Sequence, residues 1–293
     1  MSQRSSRFES RATAPTATGA VLITGASSGI GAAFAEAYAA RGRDLVLVSR
    51  SPVALELAAG RLRKRHGVRV RCAAHDLSDP AEVGRLVGDL SGDGVDVDVL
   101  VNNAGFATHG RFQTIDATLD HGQAMLNVVA VVDLCHAFLP AMAERGRGTV
   151  INVSSLGGFQ PAPYLAVYAA SKTFTLSFSQ SLASELVGSR VRVLALCPGP
   201  VRTGFFTGLG STEAAVGQTL TADQVVAAAL RGLDRGAHVV VPGRLNALAA
   251  QASRLLPRRV ITTVAKRSVG PGTHTQQPTR PTVDEVSGDR DAP

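Results

Sequence analysis

Short apolar runs and longer helical patterns take turns along most of the chain. Ala20–Thr24 is an unbroken apolar run that ends in a glycine-rich turn, and an alanine-rich helix follows to about Arg41. Asp44–Ser49 predicts a second strand, Pro52–His66 a helix, Val68–Ala74 a third strand and Pro80–Leu90 a helix. Val97–Val101 predicts the fourth strand, a long helix spans Ala117–Arg145, and Thr149–Val153 is the fifth strand. A helix over Ala166–Val187, strand Val191–Leu196, helix Thr221–Arg235 and strand Ala237–Val241 complete the series. The strand runs are continuous in Val, Ile and Leu, the pattern of strands covered on both faces in a parallel sheet. Strict alternation of strand and helix predicts one doubly wound α/β domain with a mostly parallel, seven-stranded sheet.

At 293 residues, 45% hydrophobic and 18% charged, the chain can bury one such core and still carry loose ends. Met1–Thr18 is polar and rich in Ser, Thr and Arg, which predicts a disordered leader; the stretch after Gly270 predicts a disordered tail. The expected division is leader 1–18, α/β body 19–243, basic helical extension 244–269 and tail 270–293. The net charge of +7 is unevenly placed: Ala12–Asp234 holds eighteen residues of each sign, whereas Arg235–Arg280 holds eight basic residues and no acid. A neutral body argues against a nucleic-acid-binding core. In the extension, Arg254, Arg258, Arg259, Lys266 and Arg267 are interspersed with Leu255, Leu256, Val260, Ile261 and Val264. Three readings stay open for it: a solvated tail, an oligomer contact, or a weak contact with an anionic membrane surface. A helix is expected over Leu245–Leu256, interrupted by Pro257. No uninterrupted apolar run has the length of a membrane span and no signal-peptide pattern precedes the glycine turn, so a cytoplasmic protein is expected. Cys72, Cys135 and Cys197 are odd in number and far apart, which suggests neither a disulfide framework nor a metal pair.

The turn after the first strand reads Thr24-Gly25-Ala26-Ser27-Ser28-Gly29-Ile30-Gly31, and a helix starts inside it. Glycines let the backbone turn sharply, and the free N–H groups of the helix N-terminus then suit a pyrophosphate. The spacing is G-x-x-x-G-x-G, so the general dinucleotide fingerprint is not met; the strand–turn–helix context carries the reading. The second strand ends Val48-Ser49-Arg50, with no acid to hold a ribose 2′-hydroxyl. A guanidinium there suits a 2′-phosphate, so NADP(H) is expected ahead of NAD(H).

Tyr168 and Lys172 stand four residues apart, on one face of a helix. A phenol is a poor acid or base at neutral pH, and a neighbouring cation is expected to lower its pKa. Such a pair can protonate a forming alkoxide or deprotonate an alcohol.

Taken in order, these motifs resemble the short-chain dehydrogenase/reductase family. Thr24–Gly31, Asn102-Asn103-Ala104-Gly105, Ser154-Ser155, Tyr168/Lys172 and Cys197-Pro198-Gly199-Pro200-Val201-Arg202-Thr203 all match, and the match runs from about Ala20 to Gly243. The resemblance implies a Rossmann-like fold and hydride transfer between a nicotinamide and a carbonyl or secondary alcohol. It implies roles for Ser155, thirteen residues before Tyr168, in binding the substrate oxygen, with Ser154 the lesser candidate. It gives Tyr168 as the proton donor, Lys172 as a ribose contact and Asn127 as the holder of a relay water. It further implies cofactor contacts from Gly25, Ser27, Ser28, Gly29, Ile30 and Gly31, from Ser49 and Arg50, from Asp76 and Leu77, and from Asn103, Ala104 and Gly105. On the nicotinamide side it implies Pro198, Gly199, Val201 and Thr203.

Phe205, Phe206 and Leu209 follow among glycines, as in a closing loop; Phe106, Phe159, Pro161 and Tyr164 stand on other loops at strand ends. A hydrophobic ketone or acyl-type substrate is expected, handled by a homodimer or homotetramer. A different class remains open: a catalytically idle dinucleotide-binding sensor or regulator. The seven histidines show no metal-ligand spacing, and no metal is expected.

Overall fold

In a computed structural model, residues 19–203, 217–255 and 257–269 are described. The leader, the tail and the segment carrying Phe205, Phe206 and Leu209 lie outside the described residues.

The elements follow in strict alternation: β1 (Ala20–Thr24), α1 (Gly29–Ala39), β2 (Leu45–Ser49), α2 (Pro52–His66), β3 (Val70–Ala74), α3 (Pro80–Gly92) and β4 (Val97–Asn102). Next come α4 (Ala117–Ala124), a π-helical turn (Met125–Val129), α5 (Ala130–Glu144), β5 (Gly148–Val153), α6 (Ala166–Glu185) and β6 (Val191–Leu196). The chain continues through α7 (Ala222–Asp234), β7 (Val239–Val240), α8 (Arg244–Leu255) and α9 (Arg258–Val269). All seven strands form one sheet in the order β3-β2-β1-β4-β5-β6-β7, and every neighbouring pair is parallel. The fold is therefore the Rossmann-like doubly wound architecture that the apolar runs predict.

Side chains alternate across each strand, which explains why unbroken apolar runs are needed. Val21 and Ile23 face a core built with Phe34, Leu55, Leu62, Val225 and Leu230. Leu22 faces the opposite core, with Leu86, Leu90, Leu134 and Met142. Winding reverses between β1 and β4, so a crevice opens there at the carboxyl ends of the strands.

Most strand and helix ends fall within two residues of the sequence reading, and three features show the differences. β3 starts at Val70 rather than Val68, and β7 is only two residues long. The long helix over 117–144 is continuous but widens into the π turn at Met125–Val129. That helix is apolar and long enough, at mean hydropathy 1.7, to cross a membrane by composition alone. Its α5 portion instead packs on β4 and β5 as the crossover between two adjacent parallel strands.

Candidate active site

The crevice is a cavity of about 1080 Å³, just above the roughly 300–1,000 Å³ of most ligand pockets. The volume suits a dinucleotide with a second molecule beside it. Of the expected cofactor residues, Gly25, Ser27, Ser28, Gly29, Ile30, Ser49, Arg50, Asp76, Leu77, Asn103, Ala104, Gly105, Pro198, Gly199, Val201 and Thr203 line it. Gly31 lies one layer behind, where a Cβ would collide with the Gly25 carbonyl oxygen.

β1 ends at Thr24, and Gly25 takes a positive φ of 64° to turn the chain into α1. Ser28 caps α1 without a side-chain hydrogen bond, which leaves first-turn amides available to an anion. The turn is fastened to β4 from the side. Thr24 Oγ1 accepts from the Asn103 and Ala104 amides, both at 2.9 Å, and Asn103 Nδ2 donates to the Thr24 carbonyl at 2.8 Å. Asn103 thus braces the phosphate turn as well as lining the cleft. Thr203 covers the turn from the other side, its methyl 3.1 Å from where a Gly29 Cβ would stand.

At the end of β2, Arg50 is exposed at the cavity rim. Beside it the Ser49 hydroxyl is buried and has no hydrogen-bond partner. A buried hydroxyl without a partner carries an unfavourable desolvation cost, which an incoming oxygen ligand would relieve. Asp76 Oδ1 accepts from the Ser78 amide and hydroxyl, which fixes the turn that follows β3.

The four expected catalytic residues come from three elements and meet at one place. Ser155, just past β5, accepts from the Gly157 amide at 3.1 Å and hydrogen-bonds the Tyr168 phenol. Ser154 points the other way; it is buried and donates to the Lys172 carbonyl oxygen at 2.7 Å. The geometry therefore favours Ser155 over Ser154 as the substrate-facing hydroxyl. Lys172, one helical turn after Tyr168, is buried and donates to the Val153 carbonyl oxygen at 2.8 Å. Asn127 sits in the π turn, donating to Phe106 O at 3.0 Å and Ser171 Oγ at 3.1 Å while accepting from the Phe106 amide at 3.2 Å. A Cβ on Gly105 would stand 2.8 Å from Asn127 Oδ1 and 3.5 Å from Lys172 Nζ, so a side chain here would displace Asn127.

The electrostatics correct one expectation. Burial raises the Tyr168 pKa above its ordinary 10.0, and the Ser155 hydrogen bond offsets this only in part. Lys172 is buried in the same place, and burial drives its pKa down to about 8. Cys197, beside Lys172, is pushed up to about 12 by burial and is a neutral thiol. Cys72 and Cys135 are likewise free and pushed up to about 12, first of all by burial.

Phe106 and Phe159 line the cavity beyond Tyr168, and Pro161 does not. Tyr164, the one described non-glycine residue at positive φ, instead lines a second cavity of about 420 Å³. No cluster of three potential metal ligands occurs among the described residues.

Sequence reasoning missed two things here. One is Asn246 on α8, fully buried, which donates to Gln218 O and Pro242 O and accepts from the Gln218 amide. It also packs against Gly199, where a Cβ would meet its Nδ2 at 2.6 Å. The other is that Ala249, Ala250, Ala252 and Ser253 of α8 and Val260, Ile261, Val264 and Ala265 of α9 line the same cavity. An asparagine within an alanine-rich helix was the one available signal for the first; no local pattern announces the second.

Comparison with known proteins agrees with this geometry. Residues 19–214 match the family model described as short chain dehydrogenase. The sulfoacetaldehyde reductase of Chromohalobacter salexigens is 40% identical over 64% of this chain and 74% of its own. The very-long-chain 3-oxoacyl-CoA reductase of Anas platyrhynchos is 32% identical over 62% of this chain, and the match spans only 59% of that protein. Among solved structures, a short-chain dehydrogenase from Sphingobium yanoikuyae in complex with NADPH superposes with a TM-score of 0.74 at 35% identity, covering 90% of this chain and 99% of its own. The bulky-bulky ketone specific alcohol dehydrogenase from Comamonas testosteroni gives 0.71 at 30% identity, covering 89% and 98%. A short-chain dehydrogenase/reductase from Burkholderia phymatum in complex with NAD gives 0.72 at 27%, covering 83% and 94%. With its glycine turn, its Ser155–Tyr168–Lys172 cluster and these matches, the chain belongs to the short-chain dehydrogenase/reductase family of NAD(P)-binding oxidoreductases.

Proposed function

We propose that the protein is an NADP(H)-dependent reductase of uncharged, hydrophobic ketones, working as a cytoplasmic homo-oligomer. One observation carries the substrate reading. Apart from Arg50, His75 and Asp76 at the ends of β2 and β3 and the buried Lys172, the described residues that line the cavity are uncharged, and Phe106, Leu156, Phe159, Leu165 and residues of α8 and α9 are among them. An anionic substrate of the sulfonate or thioester-nucleotide kind would leave its charge unpaired against such a wall.

The NADP reading rests on Arg50 and the unpartnered Ser49 hydroxyl at the end of β2, a donor set that fits a 2′-phosphate. When bound, the cofactor supplies the hydride. Ser155 and Tyr168 hold the carbonyl oxygen, and Tyr168, kept protonated by its buried setting, donates the proton as alkoxide forms. Lys172, close to neutral in its pKa, is suited to return that proton from the Asn127 side. The idle-sensor alternative gains nothing from a Ser155–Tyr168 hydrogen bond aimed into an apolar pocket. Loss of NADPH absorbance across a panel of ketones, run in parallel with NADH, tests the reading. Turnover of charged aldehydes but no uncharged ketone would overturn it.

A further inference from the structure

An asparagine in the first turn of α8 reads from sequence as one polar position in an alanine-rich helix, yet the fold makes it a fastening point. Asn246 is wholly buried, and both ends of its amide are used. Oδ1 accepts from the Gln218 amide at 2.7 Å, while Nδ2 donates to the carbonyl oxygens of Gln218 at 3.0 Å and Pro242 at 2.9 Å. Among side chains, only asparagine and glutamine combine such an acceptor with two donors on one planar group. Two glycines leave room for it: a Cβ would stand 2.6 Å from Asn246 Nδ2 at Gly199 and 2.7 Å from Oδ1 at Gly217. Two residues past Gln218, Leu220 donates its amide to Pro200 O at 3.0 Å and accepts from the Arg202 amide at 2.9 Å. Pro198 O in turn accepts from the Leu156 amide at 2.7 Å, next to Ser155. The loop after β6 is thus held from two sides: by the turn that carries Ser155, and by a return segment that Asn246 fixes.

We infer that Asn246 is a positioning residue for hydride transfer: it fixes the backbone of residues 198–203 that faces the nicotinamide half of the cofactor. The cavity runs from Arg50 and Asp76 at the ends of β2 and β3, past the glycine turn at β1, to Ser155, Tyr168, Pro198 and Gly199 on the β5–β6 side. A dinucleotide with its pyrophosphate at the turn and its adenosine at β2 has its reactive ring on that far side. The inference rests on a nicotinamide cofactor in this cleft, and on neither the ketone nor the preference for NADP(H). Asn246 acts only through backbone. Its loss should therefore disturb the nicotinamide half, whose placement decides the reaction geometry, and spare the adenosine half held at β2 and β3.

Asn246→Ala and Asn246→Asp test this. The first removes the amide; the second keeps its shape and the acceptor for Gln218 but loses both donors. Calorimetry compares NADPH with 2′-phospho-ADP-ribose, which lacks the nicotinamide, and the emission of bound NADPH at saturation reports the surroundings of the ring. In both variants NADPH affinity should fall by about fivefold or more, the equivalent of roughly one net hydrogen bond, while 2′-phospho-ADP-ribose stays within about twofold of the parent. The emission of NADPH bound to either variant should move toward that of free NADPH. Equal losses for the two ligands, with parent-like emission at saturation, would make Asn246 merely structural and overturn the inference, as would unchanged affinity for both. Should a variant fail to fold, Gln218→Pro breaks the same clasp from outside, because Gln218 is exposed and proline has no amide hydrogen for Asn246 Oδ1. It should reproduce the loss confined to NADPH, and equal losses there would overturn the inference as well. A parent that binds NADH more tightly than NADPH would overturn the NADP(H) reading alone; the comparison then runs between NADH and ADP-ribose, with the same two outcomes.

Discussion

Lys172 is a charged group that this fold stabilises poorly, and removing it should make the protein more stable while disabling it. Burial lowers its pKa from 10.5 to about 8, which corresponds to about 3 kcal/mol at roughly 1.4 kcal/mol per pH unit. Lys172→Met keeps an unbranched apolar chain of similar length but loses the hydrogen bond to Val153 O, at a cost of about 1 kcal/mol. The expected net gain at pH 7 is about 2 kcal/mol. Its pH dependence has a definite sign. Below pH 8 the lysine is charged in both folded and unfolded chains, and the burial cost is fully present. Between about 8 and 10.5 the folded protein sheds the proton first, so parent stability rises with pH; above 10.5 both states are neutral and the cost is gone. Urea unfolding of the cofactor-free proteins, followed by circular dichroism at pH 7 and pH 10, measures this directly. The variant should lead at pH 7 and lose most of that lead by pH 10. A Lys172→Met protein less stable than the parent at pH 7, or with a pH-independent difference, refutes the reasoning.

Four further outcomes follow from the same geometry. Arg50→Ala should weaken NADPH by about 1.5–3 kcal/mol, the range for a charge-assisted hydrogen bond, and leave NADH nearly unchanged; isothermal titration that finds equal losses removes Arg50 from the 2′-phosphate. Gly105→Ala forces a methyl to within 2.8 Å of Asn127 Oδ1, so turnover should fall by an order of magnitude or more while the melting temperature changes little; a variant that turns over like the parent would show that the Asn127–Lys172 arrangement tolerates displacement. Reductive kcat/KM should decline as pH rises through about 8, where Lys172 loses its proton in the free protein, and a flat profile to pH 9.5 would contradict that. With all three thiols pushed up to about 12, native protein should resist alkylation by iodoacetamide at pH 7; rapid mass gain at Cys197 would contradict the burial assigned to it.

Much of this molecule is legible from its sequence, for physical reasons that differ by residue. β1 and β2 announce themselves because a strand covered on both faces is apolar at nearly every position, and Leu22 and Ile23 serve opposite cores. The glycine turn is legible because Gly25 and Gly29 both take positive φ. The active-site residues are legible only jointly: Tyr168 and Lys172 share a helix face, but nothing local brings Ser155 to them. The π turn at Asn127 is hidden, because Met125–Val129 runs into the apolar start of α5 with no helix breaker between them. The buried ladder of Asn102 to Asn152 and Asn152 to Ser179, each bond 2.9 Å, is hidden because its partners lie 50 and 27 residues apart. α9 misleads most, since Pro257 and its basic residues read as the start of a tail while its apolar stripe lines the pocket. The expected fall in the Tyr168 pKa is not found because desolvation by burial, which no local sequence pattern shows, is the largest influence on it.

The most direct test of the central claim is single-turnover oxidation of bound NADPH by a hydrophobic ketone, in the parent and in Tyr168→Phe. The substitution deletes one oxygen and leaves the ring, the glycine turn and Arg50 in place, so NADPH affinity should be preserved. The hydride-transfer rate should fall by about 10²–10⁴-fold, the usual contribution of a positioned proton donor. Oxidation of NADPH at the parent rate in Tyr168→Phe, with cofactor affinity intact, would contradict the account.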